Sequence, residues 1–342
     1  MNIWIDLTNS PHVTFFKPFI ALWKKLDIDI TITLRDLSNT EELANQEGWK
    51  YQKISGHGGK NRLSKLFAFI KRTFALKKTL SNKTPDIGVS HSGFCVPLVG
   101  KLLGFPTIYI NDNEWALANF IAAPFATVTY FPKLLDKSKI IKWLKIFGAN
   151  IKFYDGLKEA IYLSQSLQFR MNNYKSSRRD KVYFRPEPHM ADYYSGFERD
   201  SLYNLIEDLS SKFKVIILPR DKFQTKFYSS LESDTCIVAR KPLDLTKIAS
   251  DAKFFIGSGG TMSRELAILG IPTISTYTGN LLAVDKYLIE HGFLCHMVNY
   301  DLNMIKKFLK TFKLKKSDLM DIGSKSFKNI EREIAQIGCI KN

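Results

Sequence analysis

The sequence has no Cys-x-x-Cys pair, and its four cysteines (Cys95, Cys236, Cys295, Cys339) are scattered over 342 residues. That excludes a disulfide framework and a structural zinc site, and fits reduced thiols in a cytoplasmic protein. Acidic residues are scarce: 33 Asp and Glu stand against 50 Lys and Arg, a formal net charge of +17. Long apolar runs are missing too. The longest stretch of low polarity, Asn119 to Pro132, is too short and too broken by proline to span a bilayer. Met1-Asn2-Ile3-Trp4-Ile5-Asp6 lacks the basic start and apolar stretch of a signal peptide. The expected location is therefore cytoplasmic, with any membrane contact peripheral and at the inner face. Asp27-Ile28-Asp29 resembles a metal-binding Asp-x-Asp but opens a strand with both carboxylates on one solvent face, so no metal site is expected.

What is present is ordinary in bulk. A hydrophobic fraction of 45% and a charged fraction of 24% describe a globular protein. The length suits two cores better than one. Strand-like runs alternate with helical patterns from end to end, the signature of βαβ units around parallel sheets. In the first half the strands fall at Asn2–Leu7, Ile28–Leu34, Tyr51–Ile54, Asp86–Ser90, Thr107–Ile110, Ala126–Tyr130 and Ile151–Tyr154. A polar, patternless stretch between Leu163 and Asp180 reads as an interdomain crossing. Strands resume at Lys181–Phe184, Lys214–Leu218, Cys236–Ala239, Phe254–Ile256 and Thr273–Ser275. The expected domains are 1–165 on the acceptor side and 180–320 on the nucleotide side, each a doubly wound Rossmann-like α/β unit. A helix at 321–342 would pack back on the first. A ligand cleft is expected where the two halves face each other, at the carboxyl ends of the strands.

The positive charge is concentrated. Residues 60–80 carry Lys60, Arg62, Lys65, Lys71, Arg72, Lys77 and Lys78 with no acid, interleaved with apolar residues at helical spacing. Residues 132–145 repeat the mixture. Such helices can lie on anionic lipid, and a crossover helix with a lysine-rich solvent face is the alternative. No nucleic-acid motif accompanies the charge, so nucleic acid is not an expected partner.

The sharpest local signal is Phe254-Phe255-Ile256-Gly257-Ser258-Gly259-Gly260-Thr261-Met262-Ser263-Arg264-Glu265, an apolar strand running through a glycine turn into a helix that ends at Gly270. Glycines admit a diphosphate close to the backbone, and the free amides and dipole of a helix start hold its charge. Ser258 and Thr261 can add hydroxyl donors, and Glu265, one turn onward, can accept from two ribose hydroxyls. A turn used only for tight packing is the alternative. Arg185 and Arg220 follow strands in the same half and can grip phosphate bidentately or make surface ion pairs. In the first half, His12 can be a general base or bind acceptor phosphate, or sit satisfied in a helix-capping loop. Asp112 and Glu114 follow a strand where a carboxylate can deprotonate an acceptor hydroxyl, or form a solvated turn. His57, in a glycine-rich loop, and His91, at a strand end, are further candidates.

The Gly-Ser-Gly-Gly-Thr-Met stretch with Glu265 resembles the nucleotide-binding motif of GT-B glycosyltransferases and of UDP-N-acetylglucosamine 2-epimerases. The opening Trp4-Ile5-Asp6-Leu7-Thr8-Asn9-Ser10-Pro11-His12-Val13, with Tyr154–Glu159 and Leu281–Gly292, resembles an uncharacterised prokaryotic family of that fold. The resemblance implies a GT-B-like fold. It gives Gly257, Ser258, Gly259 and Gly260 a diphosphate-holding role and Glu265 a ribose-holding one. It implies a nucleotide-sugar donor, most often a UDP-sugar, with no other cofactor and no metal. The epimerases' Glu-Ala-Gly-Leu-Arg stretch falls near Asn111-Asp112-Asn113-Glu114-Trp115, which is acidic but different. The expectation is a metal-independent glycosyltransferase of cell-surface polysaccharide or glycoconjugate synthesis, acting on a glycan or lipid-linked acceptor. A nucleotide-sugar epimerase or hydrolase and a non-catalytic binding protein are the alternatives.

Overall fold

The computed structural model describes residues 1–35, 37, 39–54, 62–166, 179–187, 199–298, 301–313 and 318–339. His57 and most of the expected interdomain crossing lie outside the described residues. The chain forms two compact units, Met1–Gln165 joined by the chain from Asp321 onward, and Ser166–Met320.

The first unit is a parallel sheet of seven strands: β1 (Asn2–Leu7), β2 (Asp29–Leu34), β3 (Gln52–Lys53), β4 (Ile87–His91), β5 (Thr107–Ile110), β6 (Val128–Pro132) and β7 (Ile151–Tyr154). Their order is β3-β2-β1-β4-β5-β6-β7. The second unit has six: β8 (Lys181–Arg185), β9 (Lys214–Ile217), β10 (Cys236–Val238), β11 (Ala252–Gly257), β12 (Thr273–Ser275) and β13 (Cys295–His296), ordered β10-β9-β8-β11-β12-β13. Both sheets are doubly wound and parallel, as the alternating pattern predicts. Strand β13 escapes the sequence reading because two residues carry no periodicity.

In each sheet the winding direction reverses at one place, between β1 and β4 and between β8 and β11. Connections leaving these neighbouring strands go to opposite faces and leave a crevice at their carboxyl ends, where open α/β sheets bind ligands.

The first helix, Ser10–Lys25, starts earlier than the apolar pattern suggests. Asn9 caps it by accepting the Ser10 amide, and Pro11 sits in the first turn, where no amide is needed. His12 is therefore a residue of that helix and not of a loop before it.

The basic helix Arg62–Leu80 departs further from its pattern. Leu76 and Leu80 are buried with Trp4, Val96, Val99 and Phe105, each worth about 1.5–3 kcal/mol of burial. Arg72 also points inward. Its Nη2 donates to Asp6 Oδ1 at 2.6 Å, and its Nη1 donates to the Ile54 carbonyl. Thr33 donates to the same Asp6 oxygen at 2.7 Å and accepts from Trp4 Nε1 at 2.9 Å. Burial pushes the Asp6 carboxyl above its ordinary range, and Arg72 pulls against it. Meanwhile Leu66, Phe67, Ile70 and Phe74 face outward, Phe67 with 71% of its surface exposed. A buried arginine has taken a place that the pattern reserves for an apolar side chain.

The helix Leu319–Cys339 packs on the first unit. Phe327 packs tilted against Phe19 with ring centroids 4.3 Å apart, and Ser326 donates to the Asp155 carbonyl. A Cβ on Gly323 would stand 2.2 Å from the Ala160 carbonyl oxygen, so this approach requires glycine.

Candidate functional site

The glycine turn lies where the winding of the second sheet reverses. Strand β11 ends at Gly257 beside β8, which ends at Arg185. Gly259 and Gly260 then take φ values of +65° and +90°, the left-handed region that glycine alone enters cheaply. A Cβ on Gly259 would also come within 3.0 Å of the Tyr277 ring. Tyr277 is fixed in turn by its carbonyl, which lies 2.7 Å from His296 Nε2.

Gly260 caps the helix Thr261–Ile268 and offers no side chain, and the first turn contains no acid. The opening amides are thus left for an anion. Ser258 is buried, and its Oγ has no hydrogen-bond partner among the described residues. A buried hydroxyl without a partner costs about 1–3 kcal/mol, which a bound ligand would recover. Replacing Gly260 with alanine is expected to cost about 1–3 kcal/mol in strain. Urea melts of the variant read this directly, and an unchanged midpoint would show that the turn is not constrained.

The other residues expected here sit around the turn. Glu265 is buried and close enough to Arg185 for its charge to raise the arginine's pKa against the stronger lowering by burial. Thr261 opens the helix and is half-buried. Arg220 donates from Nε to the Pro186 carbonyl at 2.7 Å, tying the loop after β9 to the loop after β8. That bond spends one of its five donors on structure. Arg264, which sequence reasoning did not single out, pairs with buried Asp285 through Nε at 2.7 Å and Nη2 at 3.0 Å. The pair staples the helix to the next one, Ala283–Glu290, and holds the turn's orientation.

In the first unit the reversal between β1 and β4 brings together a buried acid–base cluster. His12 comes from the helix after β1, His91 from the end of β4, Asp112 from the loop after β5, and Lys158 with Glu159 from the helix after β7. All five are at most 5% exposed. Lys158 Nζ lies 2.9 Å from Asp112 Oδ2 and 3.4 Å from Glu159 Oε1, while His91 Nε2 lies 3.5 Å from Asp112 Oδ1. The rings of His12 and His91 meet edge to face at 5.3 Å. Lys158 thus stands between two buried carboxylates.

Both histidines are held below the ordinary range, chiefly by burial, with Lys158 adding to the effect and Asp112 opposing it. Their contribution to stability is complete above the ordinary histidine value and is lost as pH falls through the depressed one. The Thr8 amide donates to His12 Nδ1 at 3.2 Å, which assigns the proton of the neutral ring to Nε2. His12 in this tautomer is a donor at Nε2, and its use as a base needs the other tautomer. Neither ring nitrogen of His91 has a hydrogen-bond partner among the described residues, Nε2 standing at ion-pair distance from Asp112.

The loop bearing Asp112 is fixed by amides. Asn111 Nδ2 donates to Asn119 Oδ1 at 2.9 Å, Tyr109 donates to the same oxygen at 2.6 Å, and Asn111 Oδ1 accepts the Asn113 amide at 2.7 Å. Glu114 is half-buried in the same loop. Sequence reasoning reaches Lys158 and Glu159 only within the family stretch Tyr154–Glu159. Their signal was two charges set between Leu157 and the run Ala160-Ile161-Tyr162-Leu163, all of it buried.

The fold has solved counterparts. A UDP-GlcNAc 2-epimerase of Methanocaldococcus jannaschii, in complex with UDP-GlcNAc and UDP, superposes with a TM-score of 0.72 at 15% identity, covering 98% of this chain and 100% of that one. The spinosyn rhamnosyltransferase SpnG gives 0.62 at 11% identity, covering 98% and 99%. These likenesses establish the two-domain GT-B-like fold. In sequence, an uncharacterised protein of Methanocaldococcus jannaschii is 32% identical over 308 residues, 86% of this chain and 87% of that one. Over residues 1–334 the chain matches the family described as Protein of unknown function (DUF354), and it belongs to that family.

Proposed function

We propose that the chain binds a nucleotide-diphosphate sugar at the glycine turn of its second unit and transfers the sugar to an acceptor hydroxyl. The observation that carries this reading is the buried Ser258 hydroxyl, without a partner among the described residues, beside a helix start whose cap, Gly260, has no side chain, at the winding reversal. The diphosphate accepts from the amides of that helix start, from Ser258 and Thr261, and from Arg185, with Arg220 shaping the loop. Glu265 takes the ribose hydroxyls. The fold's likeness to a structure holding UDP-GlcNAc and UDP supports a UDP-sugar as the donor.

In the first unit, Asp112 orients His91, whose Nδ1 lone pair takes the acceptor proton, and His12 donates from Nε2 to a bound oxygen. Asp112, 3.5 Å from His91, favours the imidazolium that deprotonating the acceptor creates. Glu114 is kept as the alternative base at the edge of the same loop. The helix dipole and the arginine stabilise the departing diphosphate.

A thermal-shift titration with UDP and UDP-GlcNAc tests the nucleotide site. We expect a rise in Tm for the wild type that is reduced at least tenfold in apparent affinity by Glu265→Ala, about 1.4 kcal/mol. No rise with any nucleoside diphosphate or its sugar, or an equal rise in the variant, would sink the reading.

A second reading is a UDP-sugar 2-epimerase. The crowding of acid–base groups in the first unit, and the higher TM-score to the epimerase, favour it. UDP-GlcNAc incubated alone separates the two: an epimerase turns it over, whereas a transferase shows only slow hydrolysis until an acceptor is added.

A further inference from the structure

The chirality of βα connections decides where the cationic helices of the first unit lie. From β3 onward the chain advances across the sheet in one direction, β4 to β5 to β6 to β7, so right-handed crossovers put the intervening helices on one face. These are Arg62–Leu80, Cys95–Leu103, Asn119–Ala122 and Lys139–Ile146. The first packs on the second and the second on the third. Phe120 and Phe147 meet edge to face at 5.9 Å and join the last to the row.

Two properties of this layer run against the usual rules for a solvent face. None of the four helices contains an Asp or Glu. Lys65, Lys71, Lys78, Lys101, Lys142 and Lys145 are exposed along them. Large apolar side chains are exposed on the same helices. Phe67 and Phe74 are 71% and 58% open on the first, and Trp143 and Ile146 are 54% and 72% open on the last. Single exposed apolar residues need no explanation, but a row of them across adjoining helices marks an interaction surface.

We propose that this helix layer docks on an anionic lipid surface. Its aromatic and aliphatic side chains enter the boundary between headgroups and acyl chains, and its lysines meet the headgroup charge. The chemistry favours lipid over the other candidates. A two-fold contact between copies would set this lysine row against itself with no carboxylate on any of the four helices to answer it. Nucleic acid would use the lysines but would gain little from exposed Leu66, Ile70 and Ile146. No helix among the described residues is long and apolar enough to cross a membrane, so the contact is peripheral. This inference rests on the exposed layer alone and not on the sugar chemistry.

Co-sedimentation of the full chain with vesicles tests it. We expect binding to phosphatidylglycerol-containing vesicles and at least tenfold weaker binding to neutral phosphatidylcholine. Each exposed lysine changed to glutamine should weaken binding roughly fivefold. The Phe67→Ser/Phe74→Ser variant should bind anionic vesicles at least tenfold more weakly with unchanged circular dichroism and Tm, because both rings are exposed. Three results would overturn the proposal. One is no binding by the wild type, and another is equal binding by the variant. The third is a dimer in light scattering that the variant abolishes, which would assign the face to a second copy.

Discussion

Replacing Lys158 with methionine is expected to cost about 3–5 kcal/mol of folding free energy, because it removes the ammonium that two buried carboxylates share. Asp112 and Glu159 both face this ammonium, and neither has water to turn to. The same change takes the ammonium away from Asp112, which also meets His91 at 3.5 Å. Both consequences can be separated. Adding Asp112→Asn to the variant removes one of the stranded charges and should recover at least half of the lost stability, measured by urea melts. Turnover of a nucleotide sugar should stay lost in the double variant, by a factor of about 10²–10⁴, the usual range for a missing general acid or base. If the single variant melted like the wild type, the cluster would be no more than a surface ion pair. If the double variant regained turnover, Asp112 would have no part in the chemistry.

Arg72→Met is the second large effect, about 3–5 kcal/mol on the same principle, and it carries a pH signature that the first lacks. Asp6 is fully buried, and its carboxyl sits above its ordinary range even with Arg72 in place. A carboxyl with a raised folded-state pKa binds its proton more readily folded than unfolded. Its contribution to stability is therefore full below the unfolded value and is lost as pH rises through the folded one. Without the arginine the folded value rises further, so the deficit of Arg72→Met against wild type should be largest near neutrality. It should shrink as the medium is acidified towards pH 4, the ordinary carboxylate range. Measuring both proteins at each pH cancels the histidine titrations common to them. The Asp6→Asn/Arg72→Met pair should remove most of the deficit at neutral pH, since Thr33 can still bond to the amide oxygen. A deficit that does not change with pH would mean that Arg72 acts by packing alone.

These two residues also mark how far the sequence could be read. The parallel sheets were legible because their strands are short apolar runs between glycines and helical patterns, as at Phe254-Phe255-Ile256 before the glycine turn. The glycine turn was legible for the same reason: strand, turn and helix are contiguous, and the geometry at Gly259 and Gly260 is what the glycines imply. The acid–base cluster was legible only in pieces. Its members come from four connections, and it takes the order β1-β4-β5-β6-β7 to gather them. Sequence periodicity also misassigned the faces of the helix Arg62–Leu80. It treats every arginine as solvent-seeking and cannot see that Asp6, a strand away, offers a buried carboxylate. The same blindness hid the exposed phenylalanines.

The close approach of Gly323 to the Ala160 carbonyl has a bearing on how the protein is made. The first unit is discontinuous: its final helix is encoded after the whole of the second unit. During synthesis the second unit can therefore be complete while the first still lacks the surface that covers Phe19 and the helix carrying Lys158. A ribosome pausing before residue 319 would hold a chain with one finished fold and one open one. Bulk added at Gly323 would keep it open after release. The last helix thus acts as a closing wedge against Phe19 and the helix that carries Lys158.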